Sequence, residues 1–218
     1  MHDILTVSVT VFMGFFAIMN PIANTAVFIG LTSNQTHQQQ KATAFKALFT
    51  AFCIVAAFCL LGKGIFEVFG ITLPALRISG GILVFLVGYH MLQGSSSSMH
   101  SEQSEGESKN SAPSDGQDVA ISPLALPILA GPGTIATAMN YSAAGGFLSI
   151  AVTISAFALL CLISLVCFIY GQKLVSLLGE NGISIVTRLM GLILTVIGMQ
   201  MGIQGIHDAR ELLNQVPK

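Results

Sequence analysis

The 218 residues are 53% hydrophobic and only 9% charged, with a mean hydropathy of +0.77, where soluble domains carry roughly 25% charged residues. That balance excludes an ordinary soluble domain, and a formal net charge of −1 offers no basic surface to nucleic acid. The chain reads as an all-α integral membrane protein whose first partner is the lipid bilayer.

A membrane-crossing helix needs roughly 20 apolar residues. Six stretches qualify: Ile4 to Leu31, Ala42 to Leu61, Leu73 to Leu92, Val119 to Met139, Phe147 to Tyr170 and Ile183 to Ile206. The N-terminal MHDILTV has no Lys or Arg and runs into an apolar stretch too long for a signal-peptide core, so it is expected to be retained.

The first stretch contains Asn20-Pro21 within NPIAN, and the fourth contains Gly131-Pro132 within AGPGT. A proline there removes a backbone donor and clashes with the carbonyl one turn back, and lipid holds no water to satisfy what is freed. Helices 1 and 4 are therefore expected to be broken. Asn is a good N-cap and proline suits the first helical position, so each proline reads as the start of a half-helix, with Gly131 the weaker cap. Such a start presents free N–H groups and about half a positive charge, which suits a carboxylate. Asn24, Thr25, Thr134 and Thr137 lie within two turns of the breaks and add hydrogen-bonding groups, and the small Gly133 follows the second proline as a further candidate for the substrate site.

Between the third and fourth stretches, residues 94–118 are serine-rich and carry five acids against Lys109 alone, which predicts a disordered acidic tether. It divides the chain into a first three-helix repeat, 1–93, and a second, 119–210, followed by a tail, 211–218. The halves resemble each other. Asn20-Pro21 matches Gly131-Pro132, Gly70-Ile71-Thr72 and Arg77 match Gly182-Ile183-Ser184 and Arg188, and GILVFLVGYH from Gly81 matches GLILTVIGMQ from Gly191. This aligns Gly88 with Gly198 and His90 with Gln200. Because three is odd, the second copy enters the membrane from the opposite side, so the expected fold is a 3+3 inverted-topology repeat whose two half-helix ends converge at the midplane.

The motifs NPIAN (20–24), FGITLPALRISGGILVFLVG (69–88), SPLALPILAGPGTI (122–135) and RLMGLIL (188–194) together resemble the MarC family of bacterial inner-membrane proteins. Ala23 stands where the family's NPIGN has glycine. The resemblance implies a six-helix transporter-like protein of the inner membrane, and the family takes in proteins described as neutral amino acid transporters.

The residues themselves narrow the substrate. No Asp or Glu lies inside a stretch, so two positive helix ends without an acid suit a zwitterion better than a lone cation. The same absence leaves proton coupling only His90 as a titratable group at depth; sodium held by carbonyls is an alternative. Arg77 and Arg188 read as interfacial anchors, or as gates paired with Glu67 or Glu180. A passive channel or an exporter is the rival reading. A thiol-disulfide conduit is a third, but Cys53 and Cys59, like Cys161 and Cys167, are spaced six apart, about 240° around a helix, and read as buried small hydrophobes. No hydrolytic triad, phosphate loop or metal-ligand cluster is present, so neither an enzyme nor a cofactor is expected. Homo-oligomerisation is left open. The distribution of Lys and Arg places both termini in the periplasm and residues 94–118 in the cytoplasm.

Overall fold

The computed structural model describes residues 2–94, 129–143 and 146–214. Residues 95–118 of the acidic tether, the upstream part of the fourth stretch (119–128) and the last four residues lie outside them.

The described residues are all helical in their regular structure: α1 (His2–Met19), α2 (Pro21–Leu31), α3 (His37–Phe69), α4 (Leu73–Leu92), α5 (Pro132–Ala143), α6 (Gly146–Ile169) and α7 (Gly171–Asn214). Five segments among them are long and apolar enough to cross a membrane: Leu5–Leu31, His37–Gly62, Leu73–Leu92, Gly146–Ile169 and Gly171–Asn214. Local chemistry explains the boundaries. Thr36 and Gln39 form a reciprocal capping box at the start of α3, with Thr36 N–H donating to Gln39 Oε1 at 2.9 Å and Gln39 N–H to Thr36 Oγ1 at 3.4 Å. Thr72 caps α4 through Ala75 N–H, and Pro74 sits where its missing donor costs nothing.

The last helix differs from expectation. It begins at Gly171, twelve residues before the anticipated Ile183, and is interrupted at Gly179, with φ 64° and ψ 171°. Gly70, in the turn between α3 and α4, also has a positive φ, 63°, whereas Gly182 lies inside the helix. Only glycine adopts that φ,ψ pair at Gly179 without strain.

Large apolar side chains cover the outside, with Leu162 and Ile203 each 61% exposed, as expected of a surface solvated by lipid. Inside, the Phe15 and Phe157 rings meet edge-on at 5.1 Å between centroids, and Phe28 stacks on Phe168 at 4.6 Å. Helices α4 and α7 run antiparallel along a glycine seam. A Cβ on Gly81 would lie 2.7 Å from Gly198 O, and one on Gly88 would lie 2.7 Å from Gly191 O. Closeness of this kind is what small residues allow between membrane helices.

Helix directions follow from the contacts. Gly14 faces Tyr141 and Ile18 faces Gly133, so α1 and α5 are antiparallel; Cys59 Sγ points at Ala138 O, 3.9 Å away, which brings the end of α3 to the end of α5. The start of α1 and the end of α7 thus share one end of the bundle. Gly94, against Arg188, lies at the other.

Candidate site at the two proline-started helices

Asn20 separates α1 from α2 in a left-handed conformation, φ 36° and ψ 73°, and is the one non-glycine residue with positive φ among the described residues. Asn tolerates this region better than most side chains because its amide can bond locally. Its Oδ1 accepts from Ala23 N–H at 3.3 Å, as an N-cap should, and its carbonyl accepts from Asn24 N–H at 3.0 Å. With Ala23 N–H diverted to the cap, the Met19 carbonyl is left over, and the Asn24 side-chain amide donates to it. Thr25 Oγ1 donates back to Pro21 O at 2.6 Å. Asn24 and Thr25 thus mend the backbone around the interruption.

The second start repeats the pattern. Gly131 is outside the helix, and its carbonyl accepts from Ile135 N–H at 3.0 Å, as Asn20 does from Asn24. The start of α5 packs on the last turn of α1: a Cβ on Gly133 would lie 3.1 Å from Ile18 Cδ1 and 4.0 Å from Val84 Cγ2, and Val84 is in the middle of α4. Thr137 lies one turn from both Gly133 and Tyr141, which face α1, so it faces α1 as well. Thr134 and Thr137 are 4% and 1% exposed, and Asn20 is 3% exposed.

Two polar atoms in this region are buried without a hydrogen-bond partner: Asn20 Nδ2 and Thr137 Oγ1. Buried polar groups are almost always paired, and each one left unpaired costs about 1–3 kcal/mol. One orphan is a donor and the other can donate or accept.

The weaker candidates lie elsewhere. His90, on the last turn of α4, has Nδ1 2.7 Å from Leu86 O. Gln200 is exposed and lines a groove of about 360 Å³ on the outer face with Phe85, Thr195, Val196, Met199 and Ile203. Arg188 is exposed, its guanidinium against Gly94. Arg77 does not pair with Glu180. Its Nε donates to Asn140 Oδ1 at 2.8 Å, and its Nη1 pairs with the Asp208 carboxylate. Glu67's side chain is outside the described set. Asn140, Asp208 and Ser164, whose hydroxyl reaches Met19 Sδ at 3.7 Å, were not singled out by sequence reasoning. All three depend on which helices become neighbours. The four cysteines are free, and no metal-binding cluster is formed among the described residues.

Five segments long and apolar enough to cross a membrane, packed on small residues beneath a largely apolar outer surface, define a multi-pass α-helical membrane protein. The chain belongs to the MarC family: the model of the MarC family integral membrane protein matches residues 5–210. The UPF0056 membrane protein YvbG of Bacillus subtilis is 39% identical over 205 residues, covering 91% of this chain and 94% of its own. A UPF0056 membrane protein of Pyrococcus abyssi is 35% identical over 96% of this chain and 98% of its own, and one of Aquifex aeolicus is 32% identical over 95% and 96%. No solved structure matches the chain.

Proposed function

We propose that this protein carries small neutral, zwitterionic amino acids, or similar carboxylate-bearing solutes, across the bacterial inner membrane. In this reading the chain is a 3+3 inverted repeat, helices 1 and 4 are broken at Asn20-Pro21 and Gly131-Pro132, and the substrate sits at the midplane between the starts of α2 and α5. The observation that carries it is the pair of buried, unpartnered groups, Asn20 Nδ2 at the cap of α2 and Thr137 Oγ1 on α5, whose start packs on the turn of α1 just before Asn20. A carboxylate accepts from both and lies at the positive end of both helices. The substrate ammonium turns to carbonyls at the ends of the preceding segments.

The repeat is supported by the glycine seam. If residues 81 and 88 are exchanged for their matches 191 and 198, the contact of Gly81 with Gly198 becomes that of Gly191 with Gly88, and both occur. That is the behaviour of two helices related by a two-fold axis. The burial of Asn20, Thr134 and Thr137 suits an occluded carrier better than an open channel. Counterflow in proteoliposomes with a panel of labelled amino acids tests the reading. Saturable exchange supports it, and flux that rises linearly with concentration for every solute replaces it with a channel.

A further inference from the structure

We propose that Arg77, Asp208 and Asn140 form a reversible latch that closes one end of the pathway, while the opposite end, at Arg188, has no equivalent ion pair among the described residues. This rests on the carrier reading above. A single guanidinium ties three helices: Arg77 on α4 donates to Asn140 on α5 at 2.8 Å and pairs with Asp208 on α7. Asn140 is 5% exposed and lies on the helix that starts at Pro132, about 12 Å further along it at ~1.5 Å per residue. The far end of α5 is thus anchored to α4 and α7 while its near end begins at the candidate site. The end of α5 cannot leave its neighbours unless the Arg77 contacts break.

The placement of the charges argues against a role within their own helices. Arg77 lies near the N-terminus of α4, the positive end of its dipole, and Asp208 lies toward the C-terminus of α7, the negative end. Neither charge gains from its own helix, and the partner of each lies across the helices. The side chains are 17% and 31% exposed, so neither charge is sealed from solvent. Such a pair is near break-even between desolvation and attraction, and opening returns both groups to water. That is the energetics of a catch that releases, as distinct from a permanent staple.

The two ends are unequal. Arg188, the sequence match of Arg77, is exposed against Gly94 and has no ion-pair partner among the described residues. Where α2 ends, the contacts are apolar packing, with Phe28 stacked on Phe168 and Gly171 against Thr25 and Ile29, and neutral hydrogen bonds such as Gln40 Nε2 to Thr32 O at 3.0 Å, with no ion pair there among the described residues. The latched end carries the start of α1 and the end of α7. The carrier therefore rests closed at that end and opens first at the other.

Thiol accessibility tests this without any transport measurement. The four native cysteines are replaced, Thr134→Cys is introduced as reporter, and a membrane-impermeant maleimide is applied to intact cells and to inverted vesicles. Asp208→Asn should raise labelling at least tenfold from the end bearing the termini and leave the other end little changed. Arg77→Asp combined with Asp208→Arg should return the rate toward the parent value. Asn140→Ala, which keeps the ion pair, should give an intermediate rise and serves if Asp208→Asn fails to insert. Arg188→Gln should change neither rate. Unchanged labelling in Asp208→Asn and Asn140→Ala, an equal rise from both ends, or a rise in Arg188→Gln at the opposite end would overturn the latch. Absence of counterflow by the parent protein would instead sink the carrier reading while leaving the accessibility result standing.

Discussion

Ile18 Cδ1 lies 3.1 Å from where a Cβ on Gly133 would stand, so the last turn of α1 packs directly on the first turn of α5. Ile18 is two residues before Asn20, and Gly133 is one residue after Pro132. This contact makes neighbours of two sequence motifs more than a hundred residues apart.

If Asn20 only caps α2, Asn20→Asp should behave like the parent, because Asp caps about as well as Asn. If the freed amide faces a substrate carboxylate, the new charge repels it. Two unit charges about 4 Å apart interact by roughly 4 kcal/mol at an effective dielectric of 20, about a thousandfold in affinity. The expected outcome is normal membrane insertion, binding lost at alkaline pH, and partial recovery at acidic pH where the carboxyl is protonated. Parent-like transport across the whole range would leave Asn20 as a cap alone.

Thr137→Val separates binding from folding in the other direction. It replaces an orphaned hydroxyl by a methyl of similar shape. Thermal stability in detergent should therefore hold or rise by about 1 kcal/mol, while substrate affinity falls by roughly tenfold, equivalent to about 1.4 kcal/mol. A destabilised protein with unchanged affinity would show the hydroxyl to be structural.

The glycine seam makes a packing prediction with its own control. A Cβ on Gly198 would lie 2.6 Å from Gly81 O and also meet the backbone of Phe85, neither of which can turn aside. Gly198→Ala should destabilise the protein by about 1–3 kcal/mol, the cost of overpacking. A Cβ on Gly202 meets nothing within 4 Å, so Gly202→Ala should be close to neutral in the same detergent melt. Equal melting temperatures for the two variants would remove the seam as a rigid contact.

The membrane orientation is checked by single cysteines on a cysteine-free background. With periplasmic termini and a cytoplasmic tether, Ser104→Cys should resist impermeant thiol reagents in intact cells, and Asn214→Cys should react. Reaction at Ser104→Cys before lysis reverses the orientation.

The membrane class, the positions of the proline starts and the matching glycines of α4 and α7 were all legible in the chain, because each follows from a local property. Apolar run length decides what enters lipid, proline decides where a backbone donor is missing, and glycine decides where helices can touch. What the sequence could not show was which helix faces which. Membrane helices are apolar toward lipid and toward one another, so their periodicity carries little information about neighbours. Hence Arg77's partners, Asn140 and Asp208, 63 and 131 residues away, came only with the packing. The same holds for the use of Asn24. Nothing in NPIAN says that its amide is spent on the Met19 carbonyl, because that bond exists only once Asn20 has turned left-handed and taken Ala23 N–H for itself. The tertiary structure thus decided which of the polar groups near the breaks are consumed in mending the backbone and which, Asn20 Nδ2 and Thr137 Oγ1, are left for something else to satisfy.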